Sequence, residues 1–145
     1  MSGVRESNSA HETERMGAEL AAMLSPGDVV LIEGELGAGK TTFVRGASRA
    51  LGVTGAITSP TFTIGQLYPA AGGPAIAHVD LYRVADLSAE DPELLADYLR
   101  PDTIAFVEWP QAMAGELAAV SGRLHRVRLA HAGADRRTVA IESVQ

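Results

Sequence analysis

The chain contains no cysteine. That excludes disulfide staples and thiolate metal sites, and it fits a cytosolic protein. No apolar run approaches the ~20 residues needed to cross a bilayer. The first ten residues, Met1 to Ala10, are polar and carry no apolar signal core, so export is not expected. Basic residues are outnumbered 12 to 18, for a net charge of −6. Extended binding of nucleic acid by this chain alone is therefore not expected, because neutralising phosphates needs a basic face. Arg123, Arg126, Arg128, Arg136 and Arg137 do gather near the C-terminus, either as a solvated strand face or as a contact for a nucleotide or partner. Lysine is the scarcest basic residue: Lys40 is the only one, and every other basic side chain is arginine.

What is present is ordinary for a soluble globular protein. The length of 145 residues suits one domain with its own core, and 46% of residues are apolar and 21% charged. One domain is expected over residues 1–145, with about residues 1–8 as a disordered tail.

The solitary lysine stands in Gly34-Glu35-Leu36-Gly37-Ala38-Gly39-Lys40-Thr41, which fits the P-loop spacing G-x-x-x-x-G-K-[ST]. The apolar run Val29-Val30-Leu31-Ile32 before it predicts a buried strand. Thr41 to Leu51 after it predicts a helix, which Gly52 is placed to end. Glycines at 34, 37 and 39 allow backbone conformations that a β-carbon forbids, so successive N–H groups can point at one anion beside a helix N-terminus. Lys40 then reaches β- and γ-phosphates, and the Thr41 hydroxyl faces a magnesium ion. A compact ammonium on a slim stem suits that place better than a planar guanidinium fork.

Ser9-Ala10-His11-Glu12 fits a capping box, with Ser9 as N-cap, and Met16, Leu20, Met23 and Leu24 recur at helical spacing until Ser25-Pro26-Gly27. Beyond the central helix, Thr58-Ser59-Pro60-Thr61-Phe62-Thr63 sets hydroxyls around a proline. Two readings stand open there: a segment, including Thr61, that senses the γ-phosphate and its metal, or a plain loop into a strand over 62–68. Pro69 to Pro74 signals a turn. A second apolar run, 75–79, ends in Asp80. A helix is expected over 88–100, with Leu94, Leu95, Tyr98 and Leu99 on its apolar side, and Pro101-Asp102 breaks it. A third apolar run, 103–107, ends in Glu108. A short helix is expected over 111–120. Residues 123–129 and 137–141 alternate as strands around a hairpin-like turn at 131–135. The fold expected is α/β, a P-loop NTPase-like three-layer fold, mainly parallel with antiparallel C-terminal strands.

Asp80 and Glu108 each close a buried strand at its carboxyl end, where open α/β sheets place their ligands. Such a carboxylate holds magnesium or positions the attacking water. A plainer alternative is a strand-end acid paired with an arginine such as Arg83. Both acids are expected near the metal, with Glu108 the metal or water partner. Trp109, the only tryptophan, is either core or part of the nucleotide or partner surface.

Residues 34–42, Ser59-Pro60-Thr61-Phe62-Thr63, His78-Val79-Asp80-Leu81-Tyr82-Arg83 and Glu108-Trp109-Pro110 occur in this order. Together they resemble TsaE, the ATPase subunit of bacterial tRNA threonylcarbamoyladenosine biosynthesis, over nearly the whole chain. The resemblance implies a Mg-dependent ATPase working with TsaB and TsaD, of which TsaD transfers the threonylcarbamoyl group to adenosine 37, so that tRNA is met only through the complex. It implies phosphate contacts from Gly37, Ala38, Gly39, Lys40, Thr41 and Thr42, Mg2+ on Thr41 and Glu108, and an essential Asp80. It implies an adenine bordered by residues 10–13 and Arg136. Glu35 stands where the family usually has aspartate, and a glycine usual before Tyr98 is absent near Leu94, which bears on partner contacts more than on chemistry. A P-loop small-molecule kinase and a nucleotide-dependent switch are the rivals. The kinase lacks an arginine-rich lid segment between Asp80 and Glu108.

Overall fold

The computed structural model describes residues 3–35, 37–58, 64–82, 95–110 and 123–144. The 59–63 segment with Thr61, Arg83, Leu94 and most of the expected 88–100 helix, and the expected 111–120 helix lie outside the described residues.

The elements run β1 (Gly3–Ser7), α1 (Ala10–Ala21), β2 (Val29–Glu33), α2 (Lys40–Ala50), β3 (Gly65–Tyr68), β4 (Ala75–Asp80), β5 (Thr103–Glu108), β6 (Leu124–His131) and β7 (Arg137–Val144). They build one sheet in the order β1-β7-β6-β2-β5-β4-β3. The middle is parallel: β2 pairs with both β5 and β6, and β4 with β5. The edges are antiparallel, β3 on β4 and β7 on β6, with β1 on β7. All six residues of β5 are buried, as are the first four of β2. Continuous apolar runs of this kind are what a parallel strand covered on both faces requires.

Two differences from the sequence expectation stand out. Residues 3–7 are not a disordered tail but the edge strand β1, registered from Gly3 opposite Ile141 to Ser7 opposite Arg137. Its first four residues are exposed, so backbone pairing holds it without an apolar pattern to announce it. Antiparallel pairing is also not confined to the C-terminus, because the 69–74 turn is too short for a crossover and folds β3 straight back on β4.

One core lies under α1 and α2, where Met16, Leu20, Phe43, Val44 and Ala47 meet Val30, Ile32, Ile104 and Phe106. The other face gathers Val29, Leu31, Val79, Leu81 and Val107 with Leu95, and Tyr98 and Leu99 pack against it. At 95–99 the described backbone is a turn in which Leu99 N–H donates to Leu95 O, 2.9 Å. The two helices approach closely at glycine: a Cβ on Gly46 would sit 2.0 Å from Glu14 O, and one on Gly17 would sit 2.2 Å from Phe43 O.

The α1 cap forms as its residues predict, with one shift. Ser9 Oγ accepts from Glu12 N–H at 3.1 Å, but the Glu12 carboxylate reaches back to Asn8 N–H, 2.9 Å, one residue beyond the cap.

Candidate functional site

The site forms where β2, β4 and β5 end together. After Glu33 the chain turns through the glycine-rich loop and enters α2 at Lys40. Gly37 and Gly39 have φ of 78° and 100°, values that favour glycine, and Gly39 is the left-handed N-cap of α2. Gly34 lies so near β6 that a Cβ would stand 2.6 Å from Leu129 O. The loop thus presents a helix N-terminus, with its partial positive charge, at the carboxyl edge of the sheet.

Lys40 is nearly buried, at 5% exposed. Its Nζ donates to Gly34 O at 2.7 Å and Glu35 O at 3.0 Å, and lies 4.3 Å from the centre of the Trp109 ring. Burial pulls the ammonium below the usual lysine range, against the opposing pull of Glu108 and Asp80. Trp109 holds φ of 59°, outside the ordinary region for a bulky residue, while its N–H continues the sheet by donating to Ile32 O. The half-exposed ring of Tyr82 stacks obliquely on it, 4.9 Å between centroids.

Thr41, on the first turn of α2, brings Oγ1 to 3.5 Å from Glu108 Oε2. Glu108 is buried, and the same oxygen lies 2.5 Å from Nε2 of His78, which is fully buried one strand away. Asp80 pairs in register with Glu108 across β4 and β5, and Oδ1 accepts from Tyr82 N–H at 3.0 Å. Burial raises the Asp80 carboxyl above the usual range, and the like charge of Glu108 adds to the rise.

Beside the loop a recess of about 90 Å³ is lined by Ala10, Thr13, Gly39, Thr42, Asp135 and Arg137. The residues expected to border the base therefore adjoin the loop at Ala10 and Thr13. Arg136 is exposed and closes the β6–β7 turn, its N–H donating to Gly133 O at 2.8 Å. Arg137, the next residue, is the one that faces the loop: Nη2 donates to Gly37 O at 3.2 Å, and Nη1 to Ala134 O and Arg136 O. Arg136 belongs to the turn, whereas Arg137 opens β7. Ala38 is buried in the core beneath the loop.

The structure thus brings Lys40, Thr41, Asp80, Glu108 and Trp109 to one place, with Gly37, Gly39 and Thr42 alongside. It adds His78, to which the sequence reading assigned no role, and singles out Arg137 from the C-terminal arginines read there as a strand face or a nucleotide or partner contact. Alternation along β4 puts His78 on the Asp80 face, but nothing in the sequence marks which histidines a carboxylate will meet.

Comparison with known proteins agrees with this architecture. Residues 7–139 match the family described as "Threonylcarbamoyl adenosine biosynthesis protein TsaE". A protein of Streptomyces coelicolor named tRNA threonylcarbamoyladenosine biosynthesis protein TsaE is 46% identical over 103 residues, 70% of each chain. The Bacillus subtilis protein of the same name is 38% identical over 134 residues, 92% of this chain and 80% of the relative. The crystal structure of Bacillus subtilis YdiB superposes with a TM-score of 0.77 at 28% identity, covering 100% of this chain and 88% of that one. With its sequence match, its mixed sheet and the strand-end constellation in agreement, this chain belongs to the TsaE family of threonylcarbamoyl adenosine biosynthesis proteins.

Proposed function

We propose that the protein is a cytoplasmic Mg2+-dependent ATPase that acts with TsaB and TsaD to support threonylcarbamoyl modification of adenosine 37 in tRNAs. The observation that carries this reading is the meeting of one ammonium, one hydroxyl and two carboxylates at the α2 N-terminus: Lys40, Thr41, Asp80 and Glu108. Bound ATP would supply the phosphoanhydride bond, and Mg2+ the neutralisation of its charge.

The chain's own groups fit those tasks. Lys40 already spans two carbonyl oxygens, and phosphate oxygens are stronger acceptors for the same ammonium. Thr41 and Glu108 offer two hard oxygen donors 3.5 Å apart. Magnesium characteristically takes one or two protein oxygens and completes its shell with water and phosphate. Among the described residues no three His, Asp or Glu side chains form a self-sufficient cage, which agrees with an ion shared with phosphate. Asp80, with its raised carboxyl, is suited to orient water and take its proton. Ala10, Thr13 and Thr42 would flank the base and sugar beside the loop, with Arg137, and Arg136 stays a rim candidate. Thr61 retains its proposed part in sensing the γ-phosphate. Tyr82 and Trp109 form a rim that a partner would cover, and water exclusion through such cover accounts for slow turnover by the chain alone.

The test measures phosphate release by the chain alone, with TsaB–TsaD, and in Glu108→Gln. Hydrolysis should be slow alone, faster with both partners, and about 100-fold or more slower in the variant, with ATP still bound. Full turnover without partners, or an unimpaired variant, would overturn the proposal.

A further inference from the structure

We propose that His78 is the positioning residue for Glu108: its Nε2–H holds the carboxylate so that Oε2 faces the Thr41 hydroxyl, completing the oxygen pair that receives a divalent cation. The inference rests on the reading of Thr41 and Glu108 as the cation's oxygen donors and goes beyond it to what keeps that pair in register.

His78 is 0% exposed on β4, the strand between β5 and the edge strand β3. Its Nε2 is 2.5 Å from Glu108 Oε2, and Nδ1 is buried with no hydrogen-bond partner among the described residues. As packing alone this is a poor choice. A buried imidazole with one nitrogen unsatisfied is worse than a leucine or phenylalanine of similar size. What recommends histidine at this place is therefore the other nitrogen.

A carboxylate in the ionised form that a cation requires can only accept hydrogen bonds. Nε2 must then carry a hydrogen, so the contact itself fixes which ring nitrogen is the donor. Glu108 ends β5, and its side chain would otherwise rotate about its own bonds. His78 is anchored two residues before Asp80 on the neighbouring strand, so it ties the carboxylate to a rigid element rather than to a loop. Outer partners of metal-binding side chains commonly act in this way, fixing orientation without touching the ion.

The test compares His78→Gln with His78→Asn. A glutamine amide reaches about as far as the imidazole Nε2, whereas asparagine is one carbon short, and the two bury similar polarity. ADP affinity is measured by calorimetry in EDTA, and Mn2+ affinity of the ADP-loaded protein by electron paramagnetic resonance. Metal-free ADP affinity should be alike in all three proteins, while Mn2+ affinity should fall roughly 10- to 100-fold in His78→Asn and be largely restored in His78→Gln. Equal Mn2+ affinity in the two variants, whether high or low, overturns the proposal. A measurement that needs no variant stands beside it. Nitrogen-15 spectra of the wild-type ring should show a hydrogen on Nε2, and a bare Nε2 overturns the proposal. Wild-type protein that binds no ADP under either condition defeats the nucleotide reading itself, and the His78 role with it. Normal ADP and Mn2+ binding that is indifferent to His78 defeats the positioning role alone.

Discussion

At the scale of single residues, the site rests on one ammonium with three neighbours. Lys40 is bonded to Gly34 O and Glu35 O and lies under the indole of Trp109. A phosphate that draws the ammonium away from those carbonyls also alters the cation–π contact, worth about 0.5–2 kcal/mol depending on desolvation. Because Trp109 is the only tryptophan, its emission reports the event directly. Titration with ATP should shift or quench that emission, and Lys40→Ala should abolish the response along with binding. An unchanged titration in Lys40→Ala would remove the lysine from the account. The uniqueness of Lys40 and the spacing around it are plain in the sequence. Its enclosure by an indole from a strand 69 positions later in the chain is not, since that depends on β2 and β5 being neighbours.

At the scale of elements, α1 and α2 share one core and come close enough at Gly17 and Gly46 for backbone to meet backbone. The built Cβ at Gly46 would lie 2.0 Å from a main-chain oxygen of α1, so no side-chain rotation can relieve the clash. Gly46→Ala should destabilise the protein by about 1–3 kcal/mol, the range for overpacking, even though alanine is the better helix former. Urea unfolding of the variant checks this, and a gain in stability would show that the helices separate freely.

The amino end of β2 has its own fastening. Asp28 is 3% exposed and accepts from Arg123 Nη2 at 2.9 Å and Ser25 N–H at 3.0 Å, and His125 Nε2 lies 3.4 Å away. Burial alone would raise the Asp28 carboxyl, but these bonds outweigh it and hold it below the usual range. Burial lowers His125, against the pull of Asp28. Both shifts act in the same direction with pH. An unfolded histidine takes up its proton below ~6.5 while the folded one resists, so stability begins to fall there. Asp28 adds a second loss as pH falls below ~3.9, where the unfolded carboxylate protonates first. Unfolding measured from pH 8 to pH 3 should therefore show the contribution of this pair falling, against the opposite sign of Asp80, whose raised carboxyl is relieved on protonation. Asp28→Asn should cost about 1–3 kcal/mol at neutral pH and flatten the lower limb. ADP affinity should not change, since Asp28 stands at the opposite end of β2 from the loop.

For the molecule as a whole, charge sets what it can hold alone. The net charge is −6, and Arg126 and Arg128 are both engaged with Glu33, at 3.3 and 3.4 Å. The C-terminal arginines thus include a pair whose charge is partly offset by a neighbouring acid. Mobility-shift measurements at physiological salt should show no stable tRNA complex with this chain by itself. Retention of tRNA at micromolar protein would contradict that.

Much of this molecule is local in origin, and the sequence determined that part by itself. The central strands β2 and β5 are apolar runs that end in an acid, the caps of α1 and α2 are written in Ser9 and Gly39, and the loop depends on glycines whose conformations need no distant partner. The acids at 80 and 108 are legible because a carboxylate ending an apolar run stands out chemically. Tertiary structure alone decided the rest. β1 has no apolar signature, because an edge strand needs only the open backbone of β7. Arg137 rather than Arg136 meets the loop, because the β6–β7 turn takes up Arg136 and β7 opens at Arg137 beside Gly37. His78 meets Glu108 because β4 lies beside β5, a choice of neighbour made by packing across the whole sheet and invisible in either segment alone.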